Sequence, residues 1–240
     1  MKTASKLSFP SRKAAYERFA AHAPPASILK YYGLHENLPA GIVLERATNQ
    51  NVFTCLWRVR QRHATPPNDA TLFRWAGQAA DALAFAHSLN IFNCDIHCVN
   101  FFLDEGLKLK VGDRAGASID GSTSHSLYRL RHRLFEADGT DVARVRGAAP
   151  AMEIFALGTA IYYMITGHDP WPEFREPEDR EEIKRKIITK DFLATSRTRI
   201  VGDICRRCWH VEFQTMTEVK LAIETERDSN PKVSRMHKLT

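Results

Sequence analysis

Apolar positions recur at helical spacing from Thr71 to Ser88, where Leu72, Trp75, Ala76, Ala79, Leu83 and Ala86 share one face of a 3.6-residue repeat. The spacing predicts a long amphipathic helix with that face on a core. Met152 to Gly167 is apolar nearly all round, which predicts a helix enclosed on every side. A shorter helix is expected over Ser11 to His22, with Ala15, Phe19 and Ala20 on one face and Pro24 and Pro25 ending it. Further on, Glu178 to Lys190 reads as a charged helix whose apolar face is reduced to Ile183 and Ile187. Ile200, Val201, Ile204, Cys205 and Cys208 form a stripe, and Thr215 with Glu218 makes a capping box ahead of Val219 and Ile223.

Short apolar runs bounded by turn residues predict strands at Ile28 to Tyr32 and Gly41 to Arg46, joined by a turn at His35 to Pro39. Another pair, Phe101 to Leu103 and Leu107 to Val111, flanks Asp104-Glu105-Gly106 and predicts a small hairpin. From Ala115 to Pro150 the chain carries glycine, serine and charge without a sustained period, so a long irregular segment is expected. Long loops in compact domains are often functional. No internal repeat is found, and Ser229 to Thr240 reads as a loose basic tail.

Composition narrows the class. A hydrophobic fraction of 44% and a charged fraction of 26% are globular values, so 240 residues predict one folded body with disorder only at the ends. The net charge of +6 comes without any run of five basic residues. The nearest basic cluster, Arg129, Arg131, His132 and Arg133, lacks an aromatic platform and reads as a solvated loop, so no nucleic-acid partner is indicated. Five cysteines in a chain of this length suit a reducing, intracellular and cytoplasmic setting. Cys205 and Cys208 stand as one C-x-x-C without a second pair, and read as two thiols on a buried helix face. No signal-peptide core occurs in Met1 to Arg12. Ile154 to Thr166 falls well short of the roughly 20 residues that cross a bilayer, so no membrane span is expected.

The candidate chemistry lies in Asn93-Cys94-Asp95-Ile96-His97-Cys98-Val99-Asn100, which follows the long helix and precedes the hairpin leading to Asp113. An aspartate, an asparagine five positions on, a hairpin and a second aspartate resemble the catalytic loop and metal-binding motif of protein kinases. The resemblance continues through Glu153-Ile154-Phe155-Ala156-Leu157-Gly158, Gly167, Pro170 and Trp171, similar to the central helix of the kinase large lobe, and through Cys208-Trp209. Upstream, Leu44-Glu45-Arg46-Ala47 is similar to the hinge, and Ser11 to Phe19 to the end of helix C. It spans roughly residues 12 to 226, and its strength lies in the order of motifs.

That resemblance implies a base at Asp95, magnesium ligands at Asn100 and Asp113, and adenine contacts from backbone groups near Glu45 and Ala47. The implied cofactors are ATP and magnesium, and the implied partner is a protein, as substrate or as binding partner. Departures from the family pattern are equally specific. Asn93 and Cys94 replace the histidine and arginine before the catalytic aspartate, Asp113-Arg114-Ala115 replaces D-F-G, Glu153 replaces an aspartate, and Arg12 stands where helix C should carry a glutamate. Cys94 cannot dock a phosphate from the segment Ser118 to Arg146. About ten residues precede helix C, too few for the glycine-rich loop and lysine-bearing strand of the family.

The expectation is therefore an α+β, kinase-like fold: residues 1–47 a remnant small lobe and hinge, 48–228 a mainly helical large lobe, and 229–240 a flexible basic tail. The expected function is that of an ATP-dependent serine/threonine protein phosphotransferase with weak or lost catalysis. Two alternatives stand beside it: a pseudokinase binding module without phosphoryl transfer, and a shortened product of an active kinase gene. In the binding-module reading Asp95 and Asp113 cap local loops and His97 is solvated.

Overall fold

The computed structural model describes residues 9–35, 41–124, 126, 128–192 and 199–229. Its elements run α1 (Phe9–Ala20), β1 (Tyr31–Leu34), β2 (Ile42–Leu44), α2 (Val52–Gln61), α3 (Asp69–Ser88), β3 (Ile91–Phe92), β4 (Phe101–Leu103), β5 (Leu109–Val111), β6 (Ser118–Ile119), a 3₁₀ turn (Leu130–His132), α4 (Val142–Arg146), α5 (Pro150–Thr166), α6 (Arg180–Ile188), α7 (Arg199–Trp209) and α8 (Met216–Ser229).

Asn68 starts α3 by accepting a bond from Thr71 N–H at 2.9 Å, satisfying one of the free amides of the first turn. The expected stripe from Leu72 to Ala86 is buried, and α8 lies against α3. Asp81 of α3 fixes that contact through Lys220 Nζ at 2.6 Å. As its sequence predicts, α5 is enclosed from Met152 to Ile165; Pro150 opens it and Gly167, at φ +77°, closes it. The approach of α7 depends on Gly158, where a Cβ would stand 2.7 Å from the Cβ of Cys208. Cys205 and Cys208 are both buried on that face, while Ile200 and Val201 lie outside the described side chains.

Among the described residues the strands form three separate antiparallel pairs: β1–β2, β3–β6 and β4–β5. Two bonds from α3 hold the β4–β5 hairpin: Trp75 Nε1 donates to Leu107 O, and Gln78 accepts from Leu109 N–H, both at 2.8 Å. The first expected strand shifts along the chain. Ser27 and Leu29 bond the backbone of Val111, so Ile28 forms a lone parallel bridge to the hairpin, and pairing with β2 begins at Tyr31. Residues 36–39 of the expected turn lie outside the described residues, as do 230–240 of the expected tail.

Tyr16, not Ala20, completes the buried face of α1, and Ala20 is exposed. Helix α2 is an addition, capped by Asn51, which accepts from Thr54 N–H at 2.8 Å. The cluster at 129–133 is not a solvated loop. His132 is buried, and the Arg131 guanidinium donates to the carbonyls of Pro170, Trp171 and Phe174.

Candidate functional site

The loop after β3 hangs on one carboxylate. Glu153, fully buried in the first turn of α5, accepts from Cys94 N–H at 2.7 Å and Tyr128 Oη at 3.2 Å, and its other oxygen meets His87 Nε2 at 2.8 Å. These bonds hold the loop one residue before Asp95 and explain how glutamate serves at this position. Burial, then the Glu153 charge, pushes the Cys94 thiol up to about 11 and the Tyr128 phenol well above its usual range. Cys94 is accordingly an inert thiol, not a nucleophile.

Both oxygens of Asp95 have donors. His97 Nε2 lies 3.0 Å from Oδ1, and Asn100 Nδ2 lies 3.0 Å from Oδ2 and 2.9 Å from the Asp95 carbonyl. The tautomer of His97 follows from its other nitrogen, which accepts from Val99 N–H at 3.2 Å, leaving Nε2 to donate. His97 is buried rather than solvated. Burial raises the Asp95 carboxyl, but the hydrogen bonds from His97 and Asn100 outweigh it, and the net direction is downward. Next to His97, edge-on at 6.2 Å, stands His132; burial, then its neighbour, pulls that imidazole down to about 3.

The hairpin returns the chain to this loop. Gly112 N–H donates to Asn100 O at 3.1 Å, and a Cβ at Gly112 would come within 2.6 Å of the Phe102 ring, so the close approach needs glycine. Asp113 follows in the left-handed region, at φ +49°. Its Oδ1 accepts from Arg12 NH2 at 3.1 Å and from Ala115 N–H at 3.3 Å. Arg114 is fully buried with its guanidinium 5.2 Å from the Phe19 ring centre, and none of its three side-chain nitrogens has a hydrogen-bond partner. The same is true of Tyr16 Oη and Arg12 Nε.

At the other end of the site Glu45 N–H donates to Lys30 O at 2.8 Å, and its side chain accepts from Lys110 Nζ at 2.9 Å. Ala47 packs on the core, and its N–H bonds nothing among the described residues. The structure thus brings Asp95, Asn100 and the backbone before Asp113 together, with Glu45 tied to the strand that leads to Asp113. Sequence reasoning missed His97 as a partner of Asp95 and Arg12 as a partner of Asp113. The opposite signs of Arg12 and Asp113 were the available signal. Among the described residues no group of three His, Cys, Asp or Glu side chains converges as a metal site.

A helical lobe that carries an aspartate-asparagine loop, a hairpin and a second aspartate under a small hairpin and one helix is the architecture of a kinase-type fold. The chain belongs to the protein kinase domain family, whose sequence model matches residues 22–215. It is 28% identical over 160 residues to the serine/threonine-protein kinase PDK1 of Cryptococcus neoformans var. grubii, covering 64% of this chain and 12% of that one. To the RAF proto-oncogene serine/threonine-protein kinase of Xenopus laevis it is 28% identical over 175 residues, 67% of this chain and 27% of that one. Rhodopsin kinase grk7-a of the same frog is 29% identical over 143 residues, 55% and 24% of the two chains. The chain therefore spans about a quarter or less of the length of these relatives. Domains of this family use ATP and magnesium in general. No helix among the described residues is long and apolar enough to cross a membrane.

Proposed function

We propose that this chain is a serine/threonine-type kinase domain in which phosphoryl transfer to protein is weak or lost. In this reading residues 1–47 are small-lobe and hinge, 48–228 the large lobe and 229–240 a tail. The donors present suit magnesium. Asn100 turns its amide nitrogen to Asp95, which leaves Oδ1 unbonded, and Asp113 Oδ2 has no partner among the described residues. Asn100 and Asp113 would hold the metal, and the metal when bound would offset phosphate charge. Backbone groups near Glu45 and Ala47 would take the adenine, with Ala47 N–H the free donor.

Asp95 would receive the proton of a substrate hydroxyl. That role is weakened here because both carboxylate oxygens already accept bonds and the ionised form is favoured. The observation that carries the reading is the Arg12–Asp113 ion pair at 3.1 Å beside an otherwise complete Asp95–Asn100 pair. A cation fixed on Asp113 competes with a metal for the same carboxylate. The binding-module reading draws on the same pair, since Arg12 also occupies Asp113 if no nucleotide ever binds.

A radiolabelled-ATP assay on a generic protein substrate tests this. Low, magnesium-dependent transfer should be seen with the wild type and disappear in Asp95→Asn, which cannot take the proton, and in Asp113→Asn, which loses the metal's charge partner. Clear activity that both substitutions leave untouched would overturn the residue roles, and three equally dead proteins would favour the binding module.

A further inference from the structure

Arg12, Tyr16 and Phe19 recur at i, i+4 and i+7 on one face of α1, and that face meets the turn at Asp113 and Arg114. Arg12 meets it through the ion pair and Phe19 through the guanidinium above its ring, with Tyr16 between them. Five polar atoms there are buried without a partner: Arg12 Nε, Tyr16 Oη, and Nε, NH1 and NH2 of Arg114. All five carry hydrogens to donate. Tyr16 and Arg114 are fully buried.

Glu153 and Asp113 act on Arg114 through space, but neither is hydrogen-bonded to it, and burial outweighs them. Asp113 is committed to Arg12 at 3.1 Å, and Glu153 to His87, Cys94 N–H and Tyr128. Further along α1, Asp120 is committed to Arg18 at 2.7 Å. Arg114 alone remains without a hydrogen-bonded counter-charge in this group. A buried guanidinium with no acceptor is costly, and buried polar groups in folded proteins are as a rule satisfied.

We propose that Arg114, Tyr16 and the inner edge of Arg12 form a binding site for a small tetrahedral oxyanion of the phosphate class. A guanidinium fork, a second guanidinium N–H and a phenol offer donors from separate groups, and a tetrahedral oxyanion presents acceptors in several directions where a carboxylate presents two oxygens in one plane. Arg12 and Asp113 are the only partly exposed members, with side chains 23% and 36% accessible, and they mark the way in. Phosphate reaches the site as the free ion or as the phosphate end of a nucleotide. The proposal does not rest on phosphoryl transfer, and a protein inactive in the radiolabel assay remains a fair subject for it.

The test is thermal unfolding of the full chain in EDTA, with inorganic phosphate in one arm, ATP in a second and chloride at matched ionic strength as reference. Phosphate strengthens burial in any protein, so the readout is the difference between the wild type and Arg114→Met. The wild type should gain about 3 °C more than Arg114→Met when phosphate stands about tenfold above its dissociation constant. In chloride, Arg114→Met should melt no lower than the wild type, because methionine fills similar space without an unmet charge. Tyr16→Phe, which keeps the ring, should keep the fold and lose part of the phosphate response. A response to phosphate alone supports the site with the free ion as its ligand, a response to both shows that it also takes the phosphate end of a nucleotide, and a response to ATP alone points to the nucleotide cleft and overturns it. Equal responses in the wild type and Arg114→Met, or none in the wild type, overturn the proposal.

Discussion

Helix α5 and helix α1 both bury polar side chains, and they treat them in opposite ways. In α5, Glu153 has three partners, and Thr159 donates to Arg131 O while accepting from Trp209 Nε1, each at 3.0 Å. Against α1, the inner donors of Arg12, Tyr16 and Arg114 have none. The contrast separates two kinds of departure from the family pattern. At Glu153 a changed residue found a full set of partners and the loop it holds is intact. At Arg12 and Arg114 the changes introduced two positive charges, of which one is paired on Asp113 and the other stranded. A region with its hydrogen bonds closed can only hold shape, whereas one with donors unspent retains capacity to bind.

The heaviest blow to this contrast would come from α5 itself. Leu157 and Ile161 are fully buried on it, and replacing either by alanine should cost about 2 to 5 kcal/mol in a denaturant melt. Losses under about 1 kcal/mol at both sites would place α5 at the periphery and remove the comparison's fixed side.

A smaller effect sharpens the comparison from within the helical lobe, where His132 is buried with Nδ1 unpartnered. Its folded pKa of about 3 lies below the ordinary 6.5, so between those values the unfolded chain takes up a proton that the folded chain refuses. Stability from this group is therefore complete only well above pH 6.5 and declines as pH falls, by about 1.6 kcal/mol between pH 6.5 and 5. Chemical denaturation of the wild type and His132→Gln across that range measures it. Equal slopes in the two proteins would mean that His132 is protonated in the fold.

The smallest effect belongs to Arg12→Gln. Its partner Asp113 is over a third exposed, and a pair so placed contributes under about 1 kcal/mol, less at high salt. A loss above about 2 kcal/mol would make Arg12 a structural anchor of α1 and bring the two helices closer in kind.

What the sequence made legible follows from the range of each interaction. The periodic faces of α3 and α5 and the turn at Asp104 to Gly106 are set by neighbours in the chain, and they stand where the pattern put them within a residue or two. Motif order likewise carried Asp95, Asn100 and Asp113 to one end of the hairpin. Helix α2 carried the same kind of local signal, a cap at Asn51 with Val52 and Leu56 at i and i+4 on its buried face, but within only ten residues. The placement of Arg131 depends on carbonyls about forty residues away, and Tyr16 and Arg114, which act on each other electrostatically, are about a hundred residues apart. No local period records such distances. His97 is the intermediate case: it is two residues from Asp95, but only the bond from Val99 N–H to its other nitrogen fixes which face it offers.

Glu153 also makes the molecule mechanically less divisible than its chain of separate segments suggests. Its three partners come from the end of α3, from the loop that bears Asp95, and from the irregular segment at Tyr128. One carboxylate is thereby a junction where three lengths of chain, 25 to 66 residues before it, share a single constraint. Cys94 N–H and Tyr128 Oη bond the same oxygen, Oε1, so a displacement of Tyr128 loads the very atom that holds the residue before Asp95.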